Sequence, residues 1–230
     1  IHRMVKAPIP MSNLQPWQMP KSDLLMQRLK EIAAKGFSPS SLALYLRDSK
    51  KFYYQRILSN KEVDEVEESI AANTFGTVIH QTLEDLYRPF LNTILQPDLL
   101  KEQKKLIDSV LHQHFKEVYK EGNIQTGINY LALQVAKRYV ERFLDFEIEQ
   151  ATQNQIELLY LEKTFQSVIP IETASFPVYI SGNVDRVDRC NGKIRVIDYK
   201  TGKVESGNVT IKSVDDLFTD ASHDKILQLC

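Results

Sequence analysis

Residues Val178 to Gly202 read VYISGNVDRVDRCNGKIRVIDYKTG, two alternating apolar and polar stretches on either side of Asn191-Gly192. Asn-Gly between two such stretches is the strongest short-range signal for a two-residue type I′ turn, so this segment is expected to be a β-hairpin. No other feature limits the fold as tightly, because a two-residue loop fixes both the partner of each strand and its register. Cys190 then faces Lys193, and counting outward places Asp185 directly opposite Asp198. Side chains alternate faces along a strand, so Lys200 is expected on the face of Asp198.

Like charges directly opposed across a ladder destabilise it unless something compensates. Two carboxylates at that spacing suit Mg²⁺, a hard cation usually held by one or two carboxylates together with phosphate and water. Lys200 would then orient an attacking water or neutralise charge on a phosphate oxygen. The alternative is a solvated hairpin face whose acids pair with Arg186, Arg189 or Lys200.

The remaining chain of 230 residues fits one large α/β domain with an appendage, and 43% apolar residues can support its core. A net charge of −1 gives no overall attraction to polyanions, so such contacts must be local. The two cysteines, Cys190 and Cys230, neither build a metal cage nor form a disulfide framework, which points to a reducing, cytoplasmic setting. No apolar run reaches the ~18 residues of a membrane span. The sequence starts at Ile1 and stops within a helical pattern at Cys230, so a fragment of a longer protein is expected.

Residues 1–36 read as an arm or linker followed by a short helix. Pro8, Pro10, Pro16 and Pro20 punctuate the arm, Ser22 or Asp23 caps the helix, and Gly36 stops it. Ser38 then caps a basic amphipathic helix over Phe37 to Leu58, with Pro39 at its first position. Lys61 to Ser69 is an acidic loop or helix end. Phe75 to about Leu95 reads as a helix that Pro89 kinks or divides, with His80 and Glu84 sharing a face. Leu99 to Lys120 is expected as one helix with Leu106 inside and His112 and His114 on its surface. After a break at Gly122 to Gly127, Asn129 to Gln150 is expected as another, with Leu131, Val135, Tyr139, Phe143 and Phe146 on its apolar face. Ile156 to Ile169 has apolar residues in both phases and reads as a strand covered on both sides.

Two stretches, Gly182-Asn183-Val184-Asp185-Arg186-Val187-Asp188 and Val196-Ile197-Asp198-Tyr199-Lys200-Thr201-Gly202, resemble the signature of PD-(D/E)XK nucleases in their RecB/AddB-like branch. Gly76-Thr77-x-x-His80 resembles the G-T-x-x-H element of that branch. Ser38-Pro39-Ser40-Ser41 resembles its opening segment, but Asp48-Ser49 stands where some members carry the Cys-Pro of an iron–sulfur cluster. The resemblance covers roughly Phe37 to Cys230.

It implies a restriction-endonuclease-like core, a mixed sheet flanked by helices over residues 37–230, truncated at the C-terminus. It also implies a Mg²⁺- or Mn²⁺-dependent deoxyribonuclease without an iron–sulfur cluster, within a helicase–nuclease repair assembly. The chain has no Walker-type lysine loop, so a helicase would be a partner subunit or another part of the protein. On this likeness His80, Asp185, Asp198 and the Tyr199 carbonyl hold the metal, Lys200 is catalytic, and Gln228 steadies Lys200 or the phosphate. Glu162 resembles a recurrent acid on the strand before the hairpin, with a strand-end salt-bridge partner as the alternative reading, and Glu84 is a supporting acid. The competing expectation is a catalytically inactive nuclease fold kept for DNA binding or scaffolding.

Overall fold

The computed structural model describes residues 18–60, 72–119, 126–202 and 213. The acidic stretch 61–71, the proline-rich arm before residue 18, and Gln228 and Cys230 lie outside them. Seven α-helices and a three-stranded antiparallel sheet of order β1-β2-β3 make up the described architecture. The sheet comprises β1 (Ile156–Ile169), β2 (Val178–Cys190) and β3 (Lys193–Ile197).

The hairpin forms in the expected register, from Cys190 with Lys193 through Arg186 with Ile197. Asn191 and Gly192 both take positive φ, 49° and 83°, which is the backbone of a type I′ turn. The preceding strand also lies where its pattern placed it, but its burial does not match the expectation. Ile156 and Leu158 are buried, whereas Lys163 to Val168 are exposed. This outer half pairs with residues 178–184 of β2, beyond the helices that cover the inner half.

Helix α1 (Asp23–Lys35) is capped by Ser22, whose hydroxyl accepts from the Leu25 N–H. It ends at Gly36, where φ is 95° and an added Cβ would come within 2.5 Å of the Ser181 side chain. Phe37 then forms a parallel bridge with Ile180, joining the N-terminal helices to the free edge of β2. Helix α2 (Pro39–Arg47) starts on the Ser38 cap as expected. The single helix expected through Leu58 is instead broken at Asp48, whose carboxylate accepts from the Lys51 N–H and starts α3 (Ser49–Phe52).

Helix α4 (Ala72–Tyr87) ends where Pro89 requires, in a 3₁₀ turn over Arg88–Phe90. The expected helix from Leu99 to Lys120 is two, α5 (Pro97–Lys104) and α6 (Ile107–Val118). Leu106 lies exposed at the break, and nothing in the local sequence marks it. His114 is buried rather than on the surface, because its Nε2 lies 2.8 Å from Asp85 Oδ2 of α4.

Helix α7 (Gly127–Gln153) buries Leu133, Ala136, Val140, Leu144 and Glu147, a stripe at helical spacing. Leu131, Val135, Tyr139 and Phe146, expected inside, are exposed. The helix has two apolar faces, and a charge selects between them. Glu147 reaches Arg186 of β2 at 2.7 Å, and Arg186 also donates to Asp188 at 2.6 Å. Val78, Leu86, Tyr87, Leu111, Phe115, Val140 and Leu144 complete a core closed on one side by Ile156 and Leu158. No helix among the described residues is long and apolar enough to cross a membrane.

Removing one member of a buried ion pair strands the other. Glu147→Leu should therefore lower stability by about 3–5 kcal/mol. Glu147→Leu with Arg186→Met should recover most of that loss, because Asp188 keeps its bond from Arg195. Urea denaturation of the single and double variants checks this; an equally unstable double variant would contradict it.

Candidate metal site beside the hairpin

Strand β2 is central, and its ladders on both sides set the level of Asp185. On one side Leu161 pairs with Arg186 and Lys163 with Val184, so Glu162 stands at the level of Asp185. On the other side pairing ends at Arg186 and Ile197, with Asp198 the next residue beyond the ladder. Past that point the chain turns inward, and the Tyr199 N–H donates to Asp185 Oδ2 at 2.5 Å.

Helix α4 brings His80 to the same place. Its Nδ1 lies 3.3 Å from Asp185 Oδ1 and its Nε2 lies 2.8 Å from the Tyr199 carbonyl. Donor atoms of His80, Glu162 and Asp185 all fall within 4.8 Å of one another. They border a cavity of about 630 Å³ that Gly76, Thr77, Glu84, Asn183 and Lys200 also line.

Glu162 has φ 44°, a left-handed conformation that is uncommon for a side chain of its size and is found where the surroundings dictate it. Asn183 of β2 holds its carboxylate at 2.5 Å. Burial pushes the Glu162 carboxyl above its ordinary range; the Asn183 bond opposes this, and the charges of Asp185 and Glu84 add to it. The bond to Asp185 raises His80, against the effect of burial, with the Asp185 charge and the Tyr199 carbonyl reinforcing the rise. Nearby acid contributes to both shifts, as the leading cause for His80 and as an addition to burial for Glu162.

Asp198 follows directly after the last ladder pair, in line with Asp185, and the donors that cluster within 4.8 Å are those of His80, Glu162 and Asp185. Asp198 belongs to a neighbouring hollow of about 330 Å³, bordered by Ile79, Leu83, Val140 and Phe143. There its Oδ2 lies 2.6 Å from Lys200 Nζ. The ladder ends at Arg186 and Ile197, and the ion pair keeps Asp198 and Lys200 on one side, as their spacing implied, with Tyr199 buried between them. Lys200 and Tyr199 border both spaces. Tyr199 is buried, its ring edge-on to Phe143 at 5.3 Å and to His80 at 5.8 Å.

Glu84 lines the main cavity and is paired with Arg88 at 2.6 Å. The second acid beside Asp185 is thus Glu162, and its support, Asn183, had no recognised role in the sequence. Counting the pairing of β1 with β2 would have found both. That register is hidden by the long connection Pro170 to Pro177 and by the irregularity between Leu158 and Tyr160.

One nitrogen, two carboxylates and a carbonyl form an oxygen-rich set suited to Mg²⁺ or Mn²⁺. The acidic lining fits a cation for a second reason. Glu84, Glu162 and Asp185 line it together with Lys200 and the titratable His80, so acidic groups outnumber fixed positive ones among the described cavity residues.

The sequence profile of the PD-(D/E)XK nuclease superfamily matches residues 36–224. An uncharacterized protein of Rickettsia bellii (strain RML369-C) is 23% identical over 185 residues, covering 76% of this chain and 20% of that protein. One of Rickettsia felis (strain ATCC VR-1525 / URRWXCal2) is 24% identical over 169 residues, 73% of this chain and 19% of that protein. The chain spans about a fifth of the length of the curated relatives it matches.

A raised His80 pKa makes the folded state bind a proton more tightly than the unfolded chain. In EDTA that stabilisation should be complete below about pH 6.5 and fade as pH rises through the higher folded value. Asp185→Asn should flatten this descent. Melting temperatures across the range check it, and stability that climbs over the same interval would contradict the assigned bond.

Proposed function

The chain belongs to the PD-(D/E)XK nuclease superfamily, and we propose that it hydrolyses DNA phosphodiester bonds with a divalent cation held by His80, Glu162, Asp185 and the Tyr199 carbonyl. The observation that carries this reading is the convergence of three donor side chains within 4.8 Å, on the family's motif residues Asp185 and His80 and on a strained Glu162. A bound Mg²⁺ or Mn²⁺ polarises the scissile phosphate and acidifies water at neutral pH.

The protein's own groups act around that centre. Asp185 is fixed by the Tyr199 N–H, so its second oxygen is oriented toward His80 and the cavity. His80 must give up the proton that Asp185 favours before its nitrogen can serve as a ligand, so cation binding and proton release are coupled. Glu162 is set by Asn183. Asp198 is the remaining acidic donor, freed when Lys200 turns from it to the phosphate. The Lys200 ammonium, on the border of the cavity, neutralises charge building on the phosphate oxygens. Gln228 steadies Lys200 or the phosphate in this reading.

The finer assignment is a RecB-like nuclease domain of a larger helicase–nuclease protein. The likeness of Gly76-Thr77-x-x-His80 and Asp198-Tyr199-Lys200 supports it, and the relatives extend far beyond the matched stretch.

The test is cleavage of single- and double-stranded DNA by the full-length protein in Mg²⁺, Mn²⁺ and EDTA. Cleavage should require the cation, and Asp185→Ala should lose about a hundredfold or more, together with the cation-induced rise in melting temperature. Lys200→Ala should lose cleavage yet keep most of that rise. Undiminished cleavage by Asp185→Ala, or in EDTA, would refute the proposal. A cation response without any cleavage would instead favour a non-catalytic DNA-binding fold.

A further inference from the structure

The hollow beside the metal cavity has a lining of its own. Tyr139 and Phe143, four residues apart, share a side of α7 with Arg142, and all three border it. Ile79 and Leu83 of α4 and Ile197 of β3 add to a mostly apolar wall. Tyr139 is 46% exposed, and its ring meets Phe75 edge to face at 6.1 Å. Arg142 is exposed as well. At about 330 Å³ the space lies at the lower end of the range of ligand sites, roughly 300–1,000 Å³, and admits one planar ring system rather than an extended chain. Tyr199, Lys200 and Thr201 border both this hollow and the metal cavity, so the two spaces adjoin across one short segment.

We propose that the hollow holds an unpaired base of the nucleic-acid strand whose phosphate lies at the metal cavity. This deepens the nuclease reading and rests on its nucleic-acid substrate. A nucleotide carries its base one sugar away from its phosphate, so a phosphate neutralised by Lys200 brings the neighbouring base to the segment that the two spaces share. There Tyr139 and Phe143 supply the aromatic surface and Arg142 the cation, the two features that hold bases without regard to sequence. A paired base must first leave its stack, so the site favours a strand that is single at the point of cleavage. An apolar protein segment fits less well, because Arg142 and Lys200 on the border suit a chain of phosphates.

The experiment is fluorescence anisotropy with the full-length protein at low salt in EDTA, where nothing is cleaved. The probes are a labelled oligothymidylate and a strand of the same length built of abasic sugar phosphates. The unaltered protein should bind the thymidylate more tightly than the abasic strand. Tyr139→Ala should weaken thymidylate binding by roughly fivefold to a hundredfold, the loss of one stacked base, and leave abasic binding unchanged. Tyr139→Leu, which keeps an apolar side chain in the wall, should show the same selective loss, and Tyr139→Phe should bind like the unaltered protein. Equal losses on both strands, no loss on either, or no preference of the unaltered protein for the thymidylate would overturn the base site. Because the readout needs neither metal nor turnover, its failure is distinguishable from failure of the catalytic assay, which rests on Asp185 and Lys200.

Discussion

Arg186 is fully buried, and a guanidinium can remain charged there only because acids close on it from separate elements. Glu147 comes from α7 and Asp188 from β2 itself, while the face of Tyr87 from α4 lies 4.7 Å from the guanidinium carbon. Burial alone would lower the Arg186 pKa, but the Glu147 charge and its neighbours outweigh that and hold it raised. Two helices are thereby tied to one residue of the central strand. Asp188 also accepts from Arg195 of β3, extending the network across the hairpin.

That anchor lies immediately next to Asp185. Consecutive strand residues point in opposite directions, so a fixed Arg186 also fixes the direction of Asp185, which meets His80 of the same α4 whose Tyr87 packs on Arg186. The candidate site therefore inherits its precision from a core interaction that takes no part in chemistry. Tyr199 links the site and the core: its N–H and carbonyl engage Asp185 and His80, and its ring enters the core beside Phe143.

The site itself is arranged around uncompensated acid. Glu162 holds an unfavourable backbone conformation, its carboxyl is raised by burial and by nearby acids, and Asp185 draws a proton toward His80. In the proposed reading a divalent cation held between these donors would offset the crowded acid. Asp198 and Lys200 pair with each other beside this cavity.

Local rules made much of this legible. Asn191-Gly192 determined the hairpin and its register, Ser22 and Ser38 determined two helix starts, and Pro89 ended α4, because caps and turns depend on residues adjacent in the chain. The motif residues His80 and Asp185 were likewise readable, and they do converge. The choice of α7's buried face, the burial of His114, the place of Glu162 beside Asp185 and the turn of Tyr199 onto Asp185 were decided only in the folded molecule. Each depends on a charge or backbone group far away in sequence: Arg186 for Glu147, Asp85 for His114, Asn183 for Glu162, and the carboxylate of Asp185 for the Tyr199 peptide. A sequence pattern records which side chains prefer water, and in this protein the decisive contacts are buried polar ones whose partners only tertiary packing supplies.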